Sequence, residues 1–416
     1  MLLGANMSKL DLSQDAKVLF DKYTKQVAKN YGGEVGEKYT ATPAIQQILV
    51  QLLVEKGGWF MPYIGMPFVP SIKGQKVLMS LSSATGSRTD TTGNSERVAK
   101  NFAALGTQDY ELTKFNNDFK FSYDDFNAWA YIPNFPQFYQ SMLMESIANS
   151  IVMSGWHGTT AAADTNISTS PLLQDLSIGW LQKIRAYNTG SQWLKASTAS
   201  CAFADTGDTV TIANHGRTDG DIVSFTVITT TTGIVTNTKY YVISATQNTF
   251  QLSATKLGSA IALTANGTGT CKLHITLGQP GFDNLDVLVA NTKNSIEPWL
   301  RNGLVCYISD NLAAIEEARY YKQTVERTSE KLVLLQNGGE ILQTYGGLRC
   351  IVPPFFPDNT ILIAPVGGLQ FYTLNGSIRR QILDWQQGDC IKDFNQRVAG
   401  HVIYDERQCF LVEDIA

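Results

Sequence analysis

The chain has 416 residues, of which 44% are hydrophobic and 17% charged; that length predicts two or three domains, and that balance excludes a chain disordered throughout. Its 33 lysines and arginines against 37 acidic residues give a net charge of −4, which argues against a dedicated nucleic-acid binder. No apolar run approaches the ~20 residues that span a bilayer, and the start, Met1–Met7, lacks the charged region of a signal peptide.

In chain order, Ala16, Leu19, Phe20, Tyr23 and Val27 recur at helical spacing. A second helix begins with Thr42 as cap and Pro43 at its first position, carries Ile45, Ile48, Leu49, Leu52 and Leu53 on its apolar face, and ends at Gly57–Gly58. Residues 59–122 hold prolines at 62, 67 and 70, a strand at Lys76–Leu81, a polar stretch at Ser82–Lys100, and returning strand runs to Phe121. This predicts a long two-stranded excursion; an isolated hairpin is marginal in water, so it needs support from outside itself. Pro136 to about Gly155 predicts a long helix, and Pro171–Arg185 a short amphipathic one.

From Ala196 to Thr270 the composition changes: no Pro, no Glu, and abundant Thr, Gly, Ser and Ala. Alternating runs at Thr209–Ile212, Ile222–Ile228, Tyr240–Ile243, Thr249–Leu252 and Ala260–Leu263 are separated by turn residues, which predicts a small all-β module inserted whole. The tail alternates helix (Asp283–Ile296 and from Asp310) with strands from Leu304 to Val412. The fold class is α+β.

No phosphate loop, zinc-protease or nucleophile-elbow motif is present. His157, His215, His274 and His401 lack a legible nucleophile or carboxylate partner, and Asp124–Asp125 and Glu316–Glu317 are neighbours whose side chains point apart. No catalytic, cofactor-binding or metal-binding residue is assigned, and no cofactor is expected. The six cysteines lie far apart, without zinc-ligand spacing, and are expected as buried thiols; a Cys201–Cys271 bridge is left open, both residues flanking the same β-rich segment.

Seven stretches taken in order resemble the major capsid proteins of Peduovirus-type tailed phages. They are Tyr39–Pro43, Pro70–Lys76, Ser87–Gly93 with Glu96–Arg97, Pro171–Arg185, Ser295–Trp299, Pro353–Asp358 and Ser377–Arg380. The resemblance implies the Hong Kong 97-type capsid fold. Its parts would be an N-terminal arm at 1–58, an E-loop hairpin with flanking strands at 59–122, and a P-domain at 123–195 with its spine helix at 136–155. An inserted β domain at 196–272, an A-domain at 273–370 and a return to the P-domain at 371–416 would follow. It implies a non-enzymatic subunit that assembles as hexamers and pentamers into an icosahedral head around DNA, in the host cytoplasm and then in the virion, with no membrane partner. Scaffolding protein, maturation protease, portal and decoration proteins are its implied partners. Arg88, Arg97, Arg379 and Arg380 are the candidate subunit contacts, since Arg pairs bidentately with carboxylates. The alternative is a carbohydrate-binding or adhesive surface protein using the β module, with Tyr240, Tyr241 and Phe250 as its aromatic candidates.

The module itself has four Asp against three Lys and one Arg between Ala196 and Lys272. Its flanks at Gln192–Lys195 and Leu273–Leu277 are strand-like, and since the resemblance implies a hairpin in this region of a shell subunit, the module is expected to replace that hairpin's tip and project outward.

Overall fold

A computed structural model describes residues 14–31, 39–81, 88–89, 96, 103–129, 135–187, 192–278, 282, 284–322 and 344–416. They form two compact units, one of residues 1–180 with 367–405 and one of residues 181–366 with 406–416.

In the first unit the fourteen-residue strand Cys390–Ile403 is the axis of a seven-stranded sheet. Arg379–Trp385 and Leu369–Leu374 pair with it antiparallel, as do Thr113–Asn116 and Phe119–Ser122. The long helix Phe135–His157 buries Leu143, Ile147, Ile151 and Trp156. Trp156 meets Trp180 at 5.0 Å, and Trp180 meets His401 at 4.8 Å between ring centroids. His401 Nε2 lies 2.9 Å from the Ile151 carbonyl, which can only accept; Nδ1 therefore accepts from Ser177 Oγ at 2.9 Å. This core histidine has both nitrogens occupied.

Pro43 opens the second helix and Gly57 ends it, as the sequence predicts, although the Thr42 side chain makes no capping hydrogen bond. Its apolar face is only partly used. Leu53 is buried while Ile48 is 57% exposed, and Gln46 is buried instead, donating to the Ala41 carbonyl and accepting from Gly376 N–H. The short amphipathic helix expected over Pro171–Arg185 is a correction: residues 171–179 are irregular, and the helix runs Trp180–Tyr187. Gly179 approaches the backbone of Ser154 and Gly155 too closely for a helix there to carry a side chain.

The second unit contains a six-stranded sheet, in the order Thr344–Tyr345, Leu348–Ile351, Leu304–Ile308, Ile361–Pro365, Phe410–Val412, Trp193–Leu194. Every residue of Leu304–Ile308 is buried. Against this core lies Leu285–Asn294, capped by the Asn284 side chain accepting from Val287 N–H at 2.9 Å. The closing strand Phe410–Val412 belongs here; the expected return of 371–416 to a single peripheral domain therefore splits, with 406–416 in the second unit.

The same unit carries a closed six-stranded antiparallel barrel, Ser197–Ala204, Thr209–Thr211, Ile222–Thr229, Lys239–Ile243, Thr249–Ser253 and Gly267–Leu273. Alternation puts Phe203, Val210, Val223, Phe225, Val242, Phe250 and Leu252 inside. Its first and last strands pair from Ser197↔Leu273 onward, so entry and exit are neighbours. Outside the barrel the expected hairpin is absent. Trp193–Leu194 pairs parallel with Leu411–Val412, and Ile275 bridges parallel to Ile415, so both flanks follow the C-terminal segment. All six cysteines are buried free thiols. Cys201, pushed up to about 11 by burial, and Cys271 sit in the barrel core without a bridge.

Candidate assembly surface

Lys73–Leu81 and Ala103–Glu111 pair antiparallel in unbroken register, Lys73↔Glu111 to Leu81↔Ala103. Nine residues a strand give a hairpin of roughly 30 Å, and among the described residues it joins no other strand. Its root is fixed. Tyr110 packs edge-on to Tyr372 at 5.3 Å and its hydroxyl lies 3.2 Å from Ser71 Oγ. Gly74 leaves room for that ring: a Cβ there would lie 2.5 Å from the Tyr110 hydroxyl. Lys76 donates to the Tyr404 carbonyl at 2.5 Å while its ammonium sits 3.8 Å from the Tyr404 ring centroid.

The four arginines fare differently. Arg88 is exposed between the hairpin strands, and Arg97 lies outside the described residues. Arg379 is exposed at the start of its strand and lines, with Asn116, Asp118, Phe394 and Gln396, an open recess of about 280 Å³. Burial raises the Asp118 carboxyl above its ordinary value. Arg380 is a correction to the expected subunit contact. It is 3% exposed, and its Nε and Nη2 hold Asp393 at 3.0 and 2.6 Å. The same Nη2 donates to Tyr23 on the arm helix at 2.5 Å, and Tyr139 donates to Asp393 at 3.0 Å. A guanidinium spent this way fastens the chain to itself. Burial, with Asp393 beside it, pushes the Tyr139 hydroxyl far above its ordinary value.

Sequence reasoning missed this network because Tyr23 and Tyr139 lie hundreds of residues from Arg380 and Asp393, which themselves meet only across a strand pair, and it missed the exposure of Trp59. The signal available was a second helix apolar on more than one side, which a single buried face does not need.

The barrel offers no aromatic platform. Phe250 is fully buried, and Tyr240 is buried with its hydroxyl accepting from Val235 N–H; only Tyr241 is half-exposed. Nor do the histidines assemble into a catalytic set. His157 is engaged within the chain, His215 packs on Phe250, and no metal-binding cluster occurs among the described residues. None of the described helices is long and apolar enough to cross a membrane.

At the barrel's base several charged side chains gather around His274. His274 Nδ1 lies 3.4 Å from the Asp414 carbonyl, so Nε2 accepts from Ser224 Oγ at 2.8 Å. Around it lie Lys239, the Lys272–Asp414 ion pair at 2.5 Å, and Arg217, which donates to the His274 carbonyl at 3.0 Å. Burial first, then the charges of Lys239 and Lys272, hold the imidazole pKa below its ordinary 6.5. A histidine depressed on folding binds fewer protons folded than unfolded; its stability contribution is whole above pH 6.5 and is lost as pH falls below it. Urea midpoints are therefore expected to fall between about pH 7 and 5, and to fall less in His274→Gln. An equal fall in both proteins would remove His274 as the source.

The sequence pattern of one family, described as phage major capsid protein, P2 family, matches residues 19–224 and 247–415. Its one interruption falls inside the barrel. The capsid proteins of Escherichia phage P2 are 24% identical over 412 residues, covering 97% of this chain and 95% of theirs. The major capsid protein of Serratia phage KSP20 is 23% identical over 409 residues, covering 95% of each. Among solved structures, a chain of the satellite phage P4 procapsid that includes the size determination (Sid) protein superposes with a TM-score of 0.63 at 22% identity, covering 97% of this chain and 98% of that one.

Proposed function

This chain belongs to the P2 family of phage major capsid proteins, and from that premise we propose that its hairpin and apolar helix faces are what join one subunit to the next. It is a structural protein of an icosahedral phage shell with the Hong Kong 97-type fold. The hairpin carries the reading. Two strands of nine residues with no further strand partner among the described residues are marginal alone and gain support by lying across a neighbouring copy. Exposed Ile48, Trp59, Phe138 and Met142 supply apolar area for the same lattice. Arg379, at the rim of its recess beside Phe394, Arg88, between the hairpin strands, and Arg97 are the arginines we propose to meet a neighbour's carboxylates.

In this reading subunits form hexamers and pentamers in the host cytoplasm, closure is set by symmetry, and the shell passes through a procapsid that encloses DNA. Scaffolding protein, maturation protease, portal and decoration proteins act on it, and it works by assembly without catalysis. The arm, hairpin, P-domain, A-domain and inserted barrel take the boundaries given by the sequence, except that residues 181–195 and 406–416 belong to the compact unit that holds the barrel. Electron microscopy of the expressed protein with its assembly partners should show closed shells; only monomers or small oligomers would sink the reading.

The barrel projects from the outer surface in this proposal, since neighbours tile the sides and DNA crowds the lumen. Ser197↔Leu273 pairing lets a short Gly-containing turn replace the barrel between Lys195 and Lys272. Particles of the shortened chain should retain their diameter and lose surface protrusions. Abolished assembly with the remaining core folded would place the barrel within the lattice.

A further inference from the structure

We propose that Phe355 and the outer face of the helix Asp310–Lys322 form a docking surface for a second copy of this chain. The inference rests on the shell-forming reading and adds to it a contact on the second unit. Phe355 is 42% exposed, while its neighbour Phe356 is buried. Its φ is +58°, in the left-handed region that a bulky residue rarely enters. That conformation costs about five- to thirtyfold in the folded-to-unfolded ratio, and asparagine or glycine holds it at less cost. The backbone has little freedom to leave it, because Pro353, Pro354 and Pro357 fix their own φ and Pro357 also restricts Phe356. Strain of this kind collects at binding sites, and here it holds an aromatic ring outward.

The surroundings suit a protein partner. Asn311 Nδ2 donates to Asn359 Oδ1 at 3.1 Å and Ser309 N–H to the Thr360 carbonyl at 3.1 Å, so the helix starts beside this loop. Ala314, Ile315 and Ala318 are exposed on that helix, at a spacing that puts them on one face. Aromatic and aliphatic side chains thus make the centre, and exposed Asp310 and Asp358 stand at the edge, the arrangement of a protein interface. Among the described residues neither carboxylate is in an ion pair. Their charge complements exposed Arg379 and Arg88 on a second copy, and it repels a polyanion such as DNA.

Phe355→Asn separates assembly from folding. The urea midpoint of the unassembled chain should not fall, while the concentration needed to form shells should rise at least about tenfold. Leu257→Asn relieves another exposed residue at positive φ, +57° on the barrel, and should leave assembly unchanged. A lower midpoint in Phe355→Asn, or a failure to fold, makes Phe355 a folding residue and overturns the proposal. An unchanged assembly threshold overturns it too, as does an equal rise in Leu257→Asn. Maleimide labelling gives a second readout. Phe355→Cys chains, co-assembled as a minor share with the parent, should label quickly when free and be protected in shells; the six native thiols are buried. Equal labelling of free chains and shells overturns the contact. Electron microscopy of the parent keeps the two levels apart. Shells in which the introduced thiol stays reactive strike this inference alone, and a parent that forms no shells strikes the shell-forming reading with it.

Discussion

Replacing Arg380 with Met is expected to destabilise the chain by about 3–5 kcal/mol, because it strands a buried carboxylate. Asp393 is 2% exposed, and its charge is met by Nε and Nη2 of Arg380, with Tyr139 and Asn395 as further donors. Removing the guanidinium leaves two neutral donors to hold a full negative charge away from water. Asp393→Leu alone should cost a similar amount by stranding the cation. The double replacement Arg380→Met/Asp393→Leu should recover most of the loss, since a buried pair and a well-packed apolar pair of like volume often differ little. Urea denaturation of the three proteins checks this, and additive losses in the double variant would contradict it. The network also holds Tyr23, so Arg380→Met should speed proteolysis within the arm helix more than elsewhere.

Gly158→Ala is expected to leave little folded protein. A Cβ there would overlap the carbonyl oxygen of Ser177 and would lie 2.5 Å from that of Ser154 and 2.9 Å from the Gly179 amide nitrogen. All three are backbone atoms, so no rotamer change relieves the clash. Gly158 N–H donates to Ser154 at 2.9 Å and its carbonyl accepts from Gly179 at 3.0 Å, which ties the segment down from both sides. The same crossing seats Trp180, whose ring a Cβ on Gly155 would enter. Overpacking commonly costs 1–3 kcal/mol; an immovable backbone places this change at or above about 3 kcal/mol. Soluble yield and thermal midpoint measure it, and a drop of only a degree or two would show that the crossing can open.

The features legible in the sequence are those decided locally. Pro43 and Gly57 bound their helix because one lacks a donor that the first turn does not need and the other stops it without a side chain. The barrel was legible because period-two alternation at Tyr240–Ile243 and Thr249–Leu252 has one consistent inner face. Long-range closure was not legible. Residues 171–179 lose their helix to the backbone crossing at Gly158 and Gly179. Arg380 reads as a surface charge until Asp393, thirteen residues on and across a strand pair, is seen beside it. The flanks of the barrel looked like partners for each other, yet the chain's own end takes them both.

That end has a consequence for timing. Phe410–Val412 lies between Ile361–Pro365 and Trp193–Leu194, and Asp414 holds Lys272 at the foot of the barrel. The first unit likewise waits for Cys390–Ile403, the axis of its sheet. Neither unit can close while these residues are still inside the ribosome. Nascent chains on one messenger whose residues 390–412 have not yet emerged thus lack finished surfaces with which to polymerise prematurely.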